Sequence, residues 1–146
     1  MIRYIDWPER LMLFLNERHD KPINWENNNC CFFGCDAVKA ISGQDPGHFF
    51  RGKVKTPKQA YKLLKKFSGG GVEESAEKIF NEMGIHEIPV EDANSGDIAL
   101  IDVENVHPDA HGYTVAVVTS PASVVAQGKD GLVYITDPDM KRAWGI

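Results

Sequence analysis

Residues 25–38 read WENNNCCFFGCDAV and hold all three cysteines of the chain, Cys30, Cys31 and Cys35. The thiols follow the asparagine run Asn27 to Asn29 and stand where an amphipathic pattern begins. At about 100° per residue, Cys30, Phe33, Ala37 and Ile41 fall in one stripe flanked by Gly34 and Ala40, with Phe32, Asp36 and Lys39 opposite. This spacing predicts a helix over about 30–42, capped by Asn29 and ended by Gly43. Cys30 then sits in the first turn on the buried face, Cys31 beside Val38, and Cys35 toward the polar face.

Three readings of the cluster compete. Structural zinc sites use paired C-x-x-C ligands. Here the spacing is C-C-x-x-x-C without a second pair, and His107 and His111 lie among loop and strand signals, so no metal is expected. Free cysteine is also a common small core residue. A thiol in a first helical turn, however, feels the positive end of the helix dipole, which favours thiolate. A nucleophile of this kind needs a histidine base from elsewhere in the chain and a polar group to orient that base.

Outward from this segment, the pattern is helical on both sides. Asp6 as cap, Pro8 in the first turn and the stripe Leu11, Phe14, Leu15 predict a helix over about 8–18. Thr56, Pro57 and the apolar Ala60, Leu63, Leu64 and Phe67 before Gly69 predict a third over about 57–67. A fourth spans about 73–83 and stops before Gly84. SGGG at 68–71 is a flexible joint too short to separate domains. From Asp97 onward the chain changes to short Val- and Ile-rich strands: DIALIDV, GYTVAVVT, ASVVAQG, GLVYIT and a terminal AWGI. Helices first and strands second predict one α+β domain over 1–146, with N-terminal helices packed on a C-terminal antiparallel sheet.

Composition narrows the function classes. The 146 residues are 42% hydrophobic and 25% charged, the balance of a globular domain. The net charge of −5 opposes a nucleic-acid binder, which carries a basic stripe; the Lys-rich stretch 53–66 reads as a solvated helix face. No apolar run approaches the roughly 18 residues of a membrane span. The start, MIRYIDWPERL, has neither an apolar signal region nor a cleavage site, so synthesis in the cytoplasm and free thiols are expected.

The order of several motifs resembles a known family. ERLMLFLNER is followed by WENNNCCFFGCDAVKAISGQDP, then by HFFRGKVKTPKQAYKLLKK, SGDIALID and GKDGLVYI, and finally by AWGI. This succession, over nearly the whole chain, resembles the NlpC-type cell-wall peptidases, which are papain-like, and above all a compact branch found among tail proteins of tailed phages. The resemblance implies a papain-like fold and a thiol peptidase or amidase without cofactor or metal. It would act on peptidoglycan peptides from the virion tail, beside other tail or hub proteins, after synthesis in the host cytoplasm. It equally admits a structural tail component that keeps the fold and has lost the chemistry. By position it implies Cys30 as nucleophile, five after Trp25 and six before Asp36. The chain departs from the pattern at Glu26, where the family has Gly, and at Asn29, where it has Asp. His111, opening the strand after the Gly96–Asp97 strand, is the implied base, with His107 as the alternative. Gln127 on the next strand is the implied orienting residue, with Ser123 as a second choice. His19, His48 and His86 read as structural or exposed.

Overall fold

The computed structural model describes residues 2–107 and 112–146. Four helices come first: α1 (Trp7–Arg18), α2 (Cys30–Ser42), α3 (Pro57–Ser68) and α4 (Val72–Glu82). Six strands follow: β1 (Glu87–Ile88), β2 (Ile98–Asp102), β3 (Tyr113–Ser120), β4 (Ser123–Gln127), β5 (Leu132–Thr136) and β6 (Met140–Trp144). They form one sheet in the order β1-β6-β2-β3-β4-β5, antiparallel at every pairing. The architecture is thus α+β, with the sheet built from the C-terminal half. One strand begins before Asp97: the two-residue β1 pairs with β6. It is too short to leave a period-two signature.

The helix signals act mostly as local chemistry requires. Asn29 Oδ1 accepts from the Phe32 N–H at 2.9 Å, capping α2, and Gly43 ends it with φ 78°. Thr56 caps α3 through the Gln59 N–H, and Gly69 closes it at φ 81°. Asp6 is the exception. Its carboxylate takes Arg10 Nε at 2.7 Å and makes no cap bond; an ion pair four residues along the helix outcompetes the backbone N–H.

The sheet is buried on both faces. On one, Ile98, Leu100, Val115, Val117, Val125 and Trp144 pack against Phe33, Ala37, Val38 and Ile41 of α2 and Leu11 and Phe14 of α1. On the other, small residues such as Ala99, Ala116, Ala126 and Ala143 lie under Ile88, Val90, Ala93 and Val106. Double burial explains why β2 and β3 read as continuous apolar runs rather than alternating ones. Asp97 ties the ends of the chain together: it takes Arg3 Nη2 at 2.9 Å, the Ile146 N–H at 3.1 Å and the Asn94 N–H at 2.9 Å.

Helix α2 is sandwiched, and the expected polar side is only half polar. Phe32, placed opposite the buried stripe by periodicity, is buried in a third cluster with Phe50 and Val54, against Ala60, Leu63, Leu64 and Phe67 of the α3 layer. The true polar strip of α2 is narrow and centres on Asp36. Its two carboxylate oxygens take Arg18 at the end of α1 and Arg51 in the turn before α3, and Arg51 also pairs with Asp45.

Candidate functional site

The segment before α2 is a tight loop. Asn24 and Asn28 pair as an isolated bridge, and Asn24 Oδ1 accepts from the Glu26 and Asn27 N–H groups. Asn29 Nδ2 donates to Trp25 O at 3.1 Å. The asparagines therefore fold a compact turn that delivers Cys30 to the first turn of α2 and holds Trp25 beside it. Asn29, standing where the resembled pattern has Asp, keeps the cap without the charge.

The three thiols differ in chemistry. Cys30 Sγ and Cys31 Sγ lie 3.9 Å apart. The Cys30 pKa is lowered to about 7, first by the hydrogen bond from the Cys31 thiol; burial opposes this, and the Thr114 hydroxyl and the Val115 backbone add to the lowering. Cys31, as donor to Cys30 and itself buried, is pushed well above the ordinary thiol range. Burial pushes Cys35 up to about 12. Beside Cys30, the Thr114 hydroxyl is buried and lacks a well-formed hydrogen bond among the described residues. One thiol in the cluster is thus favoured as thiolate near neutral pH, and its vicinal neighbour supplies the largest part of that preference.

All three cysteines line one cavity of about 850 Å³. It opens between α2, α3, α4 and the start of β3, with Trp25, Tyr61, Leu64, Ile79, His107 and Tyr113 among its walls. The structure thus brings Cys30 and His107 to one cavity. His111 lies outside the described residues. Gln127, on β4, is fully buried. Its Nε2 donates to Lys21 O and to Gly128 O, each at 2.9 Å, and its Oε1 has no partner among the described residues. It therefore fastens the loop after α1 to the sheet and leaves one acceptor unspent. Ser123 serves the β3–β4 turn, bonded to Thr119 and Ser120. Among the described residues no group of three or more His, Cys, Asp or Glu is arranged to hold a metal, and no helix is long and apolar enough to cross a membrane.

Sequence reasoning missed Thr114 and the cavity itself. The α3 stripe signalled burial, and nothing in its spacing distinguishes a helix that packs from one that roofs a space. In comparisons with known proteins, a family model described as "Domain of unknown function (DUF6950)" matches residues 2–146. No curated protein and no solved structure matches the chain.

Proposed function

The chain belongs to the DUF6950 family, and from that premise we propose that it is a papain-like, NlpC-type thiol hydrolase of a phage tail, acting on peptide bonds of peptidoglycan. The observation that carries the reading is Cys30: a thiol in the first turn of α2, lowered to about 7, on the wall of a cavity that it shares with His107. The tail setting and the cell-wall substrate rest on the resemblance of the motif order. In this mechanism the Cys30 thiolate attacks an amide carbonyl carbon. The carbonyl oxygen takes up the charge, and backbone N–H groups at the start of α2 stabilise it. The C–N bond then breaks, the leaving amine takes a proton from a histidine imidazolium, and water hydrolyses the S-acyl thioester left on Cys30 to a carboxylic acid and the free thiol. His111 and His107 are the candidates for that proton transfer, and Gln127, whose Oε1 has no partner among the described residues, is the proposed orienting residue.

A second reading, a tail component with the chemistry lost, is favoured by two observations. The polar side chain of β3 that acts on Cys30 is the hydroxyl of Thr114, and both amide hydrogens of Gln127 go to backbone carbonyls. Release of soluble peptide from purified cell wall separates the two. Wild type should cleave, Cys30→Ala should not, and loss of the base, through His111→Ala or His107→Ala, should cost roughly a hundredfold to ten-thousandfold. Activity that survives Cys30→Ala sinks the thiol mechanism; no activity in wild type, with normal incorporation into particles, leaves the structural reading.

The pH dependence of thiol modification tests the site more directly. Iodoacetamide reacts with thiolate. Since the Cys30 pKa is lowered to about 7, its rate should rise through neutral pH and level off above it. Cys35, pushed up to about 12, should still be gaining reactivity at pH 9. Mass mapping that finds Cys30 the slowest of the three at pH 7 rules out an activated nucleophile.

A further inference from the structure

The cavity beside Cys30 is larger and more apolar than attack on a single amide requires. Its volume of about 850 Å³ falls in the upper part of the ~300–1,000 Å³ range of small-molecule sites. From Cys30 its walls pass to Phe50, Val54, Leu64, Val72 and Ile79, contributed by the turn before α3 and by α3 and α4. Of the charged wall residues, Glu74 and Lys129 are exposed, and the half-buried Glu73 is paired with Arg142 at 3.3 Å. Trp25 and the exposed Tyr61 form a tilted aromatic pair, ring centroids 6.5 Å apart, and both also line the cavity. An apolar chamber with a nucleophilic sulfur on its wall suits a ligand with a reactive carbonyl at one end and hydrocarbon at the other.

We infer that this chamber is an acyl-binding site: it takes a medium-chain aliphatic acyl group, with the carbonyl carbon at Cys30 Sγ and the chain running under α3. The inference rests on the thiol reading of Cys30. With an activated ester the chemistry is a simple transfer. The Cys30 thiolate forms the S–C bond, the C–O bond to the leaving group breaks, the phenolate departs with the electron pair, and Cys30 is left as an S-acyl thioester that water then hydrolyses.

The test uses p-nitrophenyl acetate, butyrate and octanoate with the full chain, reading phenolate release and the mass of the Cys30 adduct. Each methylene that enters an apolar site is worth about a three- to fourfold gain, so octanoate should exceed acetate by at least about a hundredfold in kcat/KM. Leu64→Trp, which fills the chamber, should cut that ratio at least about tenfold. Leu64→Ala, which enlarges it, should move the optimum toward longer chains; this second variant guards against a Trp variant that folds poorly. Octanoate binding to Cys30→Ala, followed by ligand-observed NMR, reports the chamber without the thiol. An acetyl adduct that forms as fast as the octanoyl one, or a ratio untouched by both Leu64 variants, overturns the acyl site while leaving the thiol reading intact. Octanoate bound to Cys30→Ala with neither an adduct nor phenolate release on wild type overturns the placement of the carbonyl at Cys30, and the thiol reading with it.

Discussion

Helices α2 and α3 are both amphipathic, yet they are held in different ways. Helix α2 buries Phe32, Phe33, Gly34, Ala37, Val38 and Ile41, whereas no residue of α3 is fully buried although its apolar face is well formed. The first is wedged between the sheet and the α3 layer. The second touches its surroundings through half-buried Ala60, Leu63, Leu64 and Phe67 and leaves an open chamber on the side toward α2. An apolar stripe states that a helix face leaves water; it does not state whether side chains or empty space wait on the other side. That distinction matters because the chamber lies between a rigid element carrying Cys30 and a loosely held one.

The strongest test of this contrast is Phe33→Ala. Phe33 is fully buried, stacked on Phe14 with centroids 5.5 Å apart, in the cluster that joins α1, α2 and the sheet. Truncation should cost about 3–5 kcal/mol, the sum of lost transfer energy and a cavity that close packing cannot collapse. Urea unfolding with an unchanged slope measures it. A loss below about 1 kcal/mol would mean that α2 is no better packed than α3.

A smaller effect sharpens the same point. A Cβ on Gly34 would come within 2.4 Å of Val115 Cγ1, and that methyl belongs to a stiff β-branched side chain on a central strand. The glycine lets α2 lie close against β3. Gly34→Ala gains about 1 kcal/mol of helix propensity but overpacks the contact at about 1–3 kcal/mol. The net should be a loss of up to about 2 kcal/mol, seen as a lower urea midpoint. A stabilised variant would show that the helix can back away from the sheet.

The sequence made the rigid part of this contrast legible and left the loose part hidden. Caps and stops at Asn29, Gly43, Thr56 and Gly69 act on the nearest backbone groups, so they place helices α2 and α3 to within a residue. The strands after Asp97 were equally plain from their Val and Ile runs. Phe32 was misplaced because periodicity assumes one buried face, and α2 has two. Asp6 was misread because Arg10, one turn on, competes for its carboxylate. At the site, Cys30 was legible from its helical position. The division of labour among the thiols was not, since it depends on the 3.9 Å approach of two sulfurs and on Thr114, more than eighty residues away. The resemblance implies Gln127 as an orienting residue, but its hold on Lys21 O is a long-range contact with no local signal.

The smallest expected effect is the most discriminating one. Leu64 is half-buried on α3 and lines the chamber, so shortening it removes methyl groups that already face open space. The cavity penalty that makes core truncations expensive is then largely absent, because the chamber exists before the substitution. What remains is the transfer of part of one side chain back toward water, about 1 kcal/mol for a residue that folding buries only partly. Leu64→Ala should therefore lower stability by about 1 kcal/mol, a fraction of the loss from Phe33→Ala although both remove large apolar groups from helices of similar length. Amide hydrogen exchange should agree, with the central amides of α3 opening at lower free energy than those of α2. If Leu64→Ala costs as much as Phe33→Ala, or if α3 is protected as fully as α2, the helix is a packed wall and the chamber closes in solution. A small cost with early exchange leaves α3 as a roof that can yield to whatever reaches Cys30.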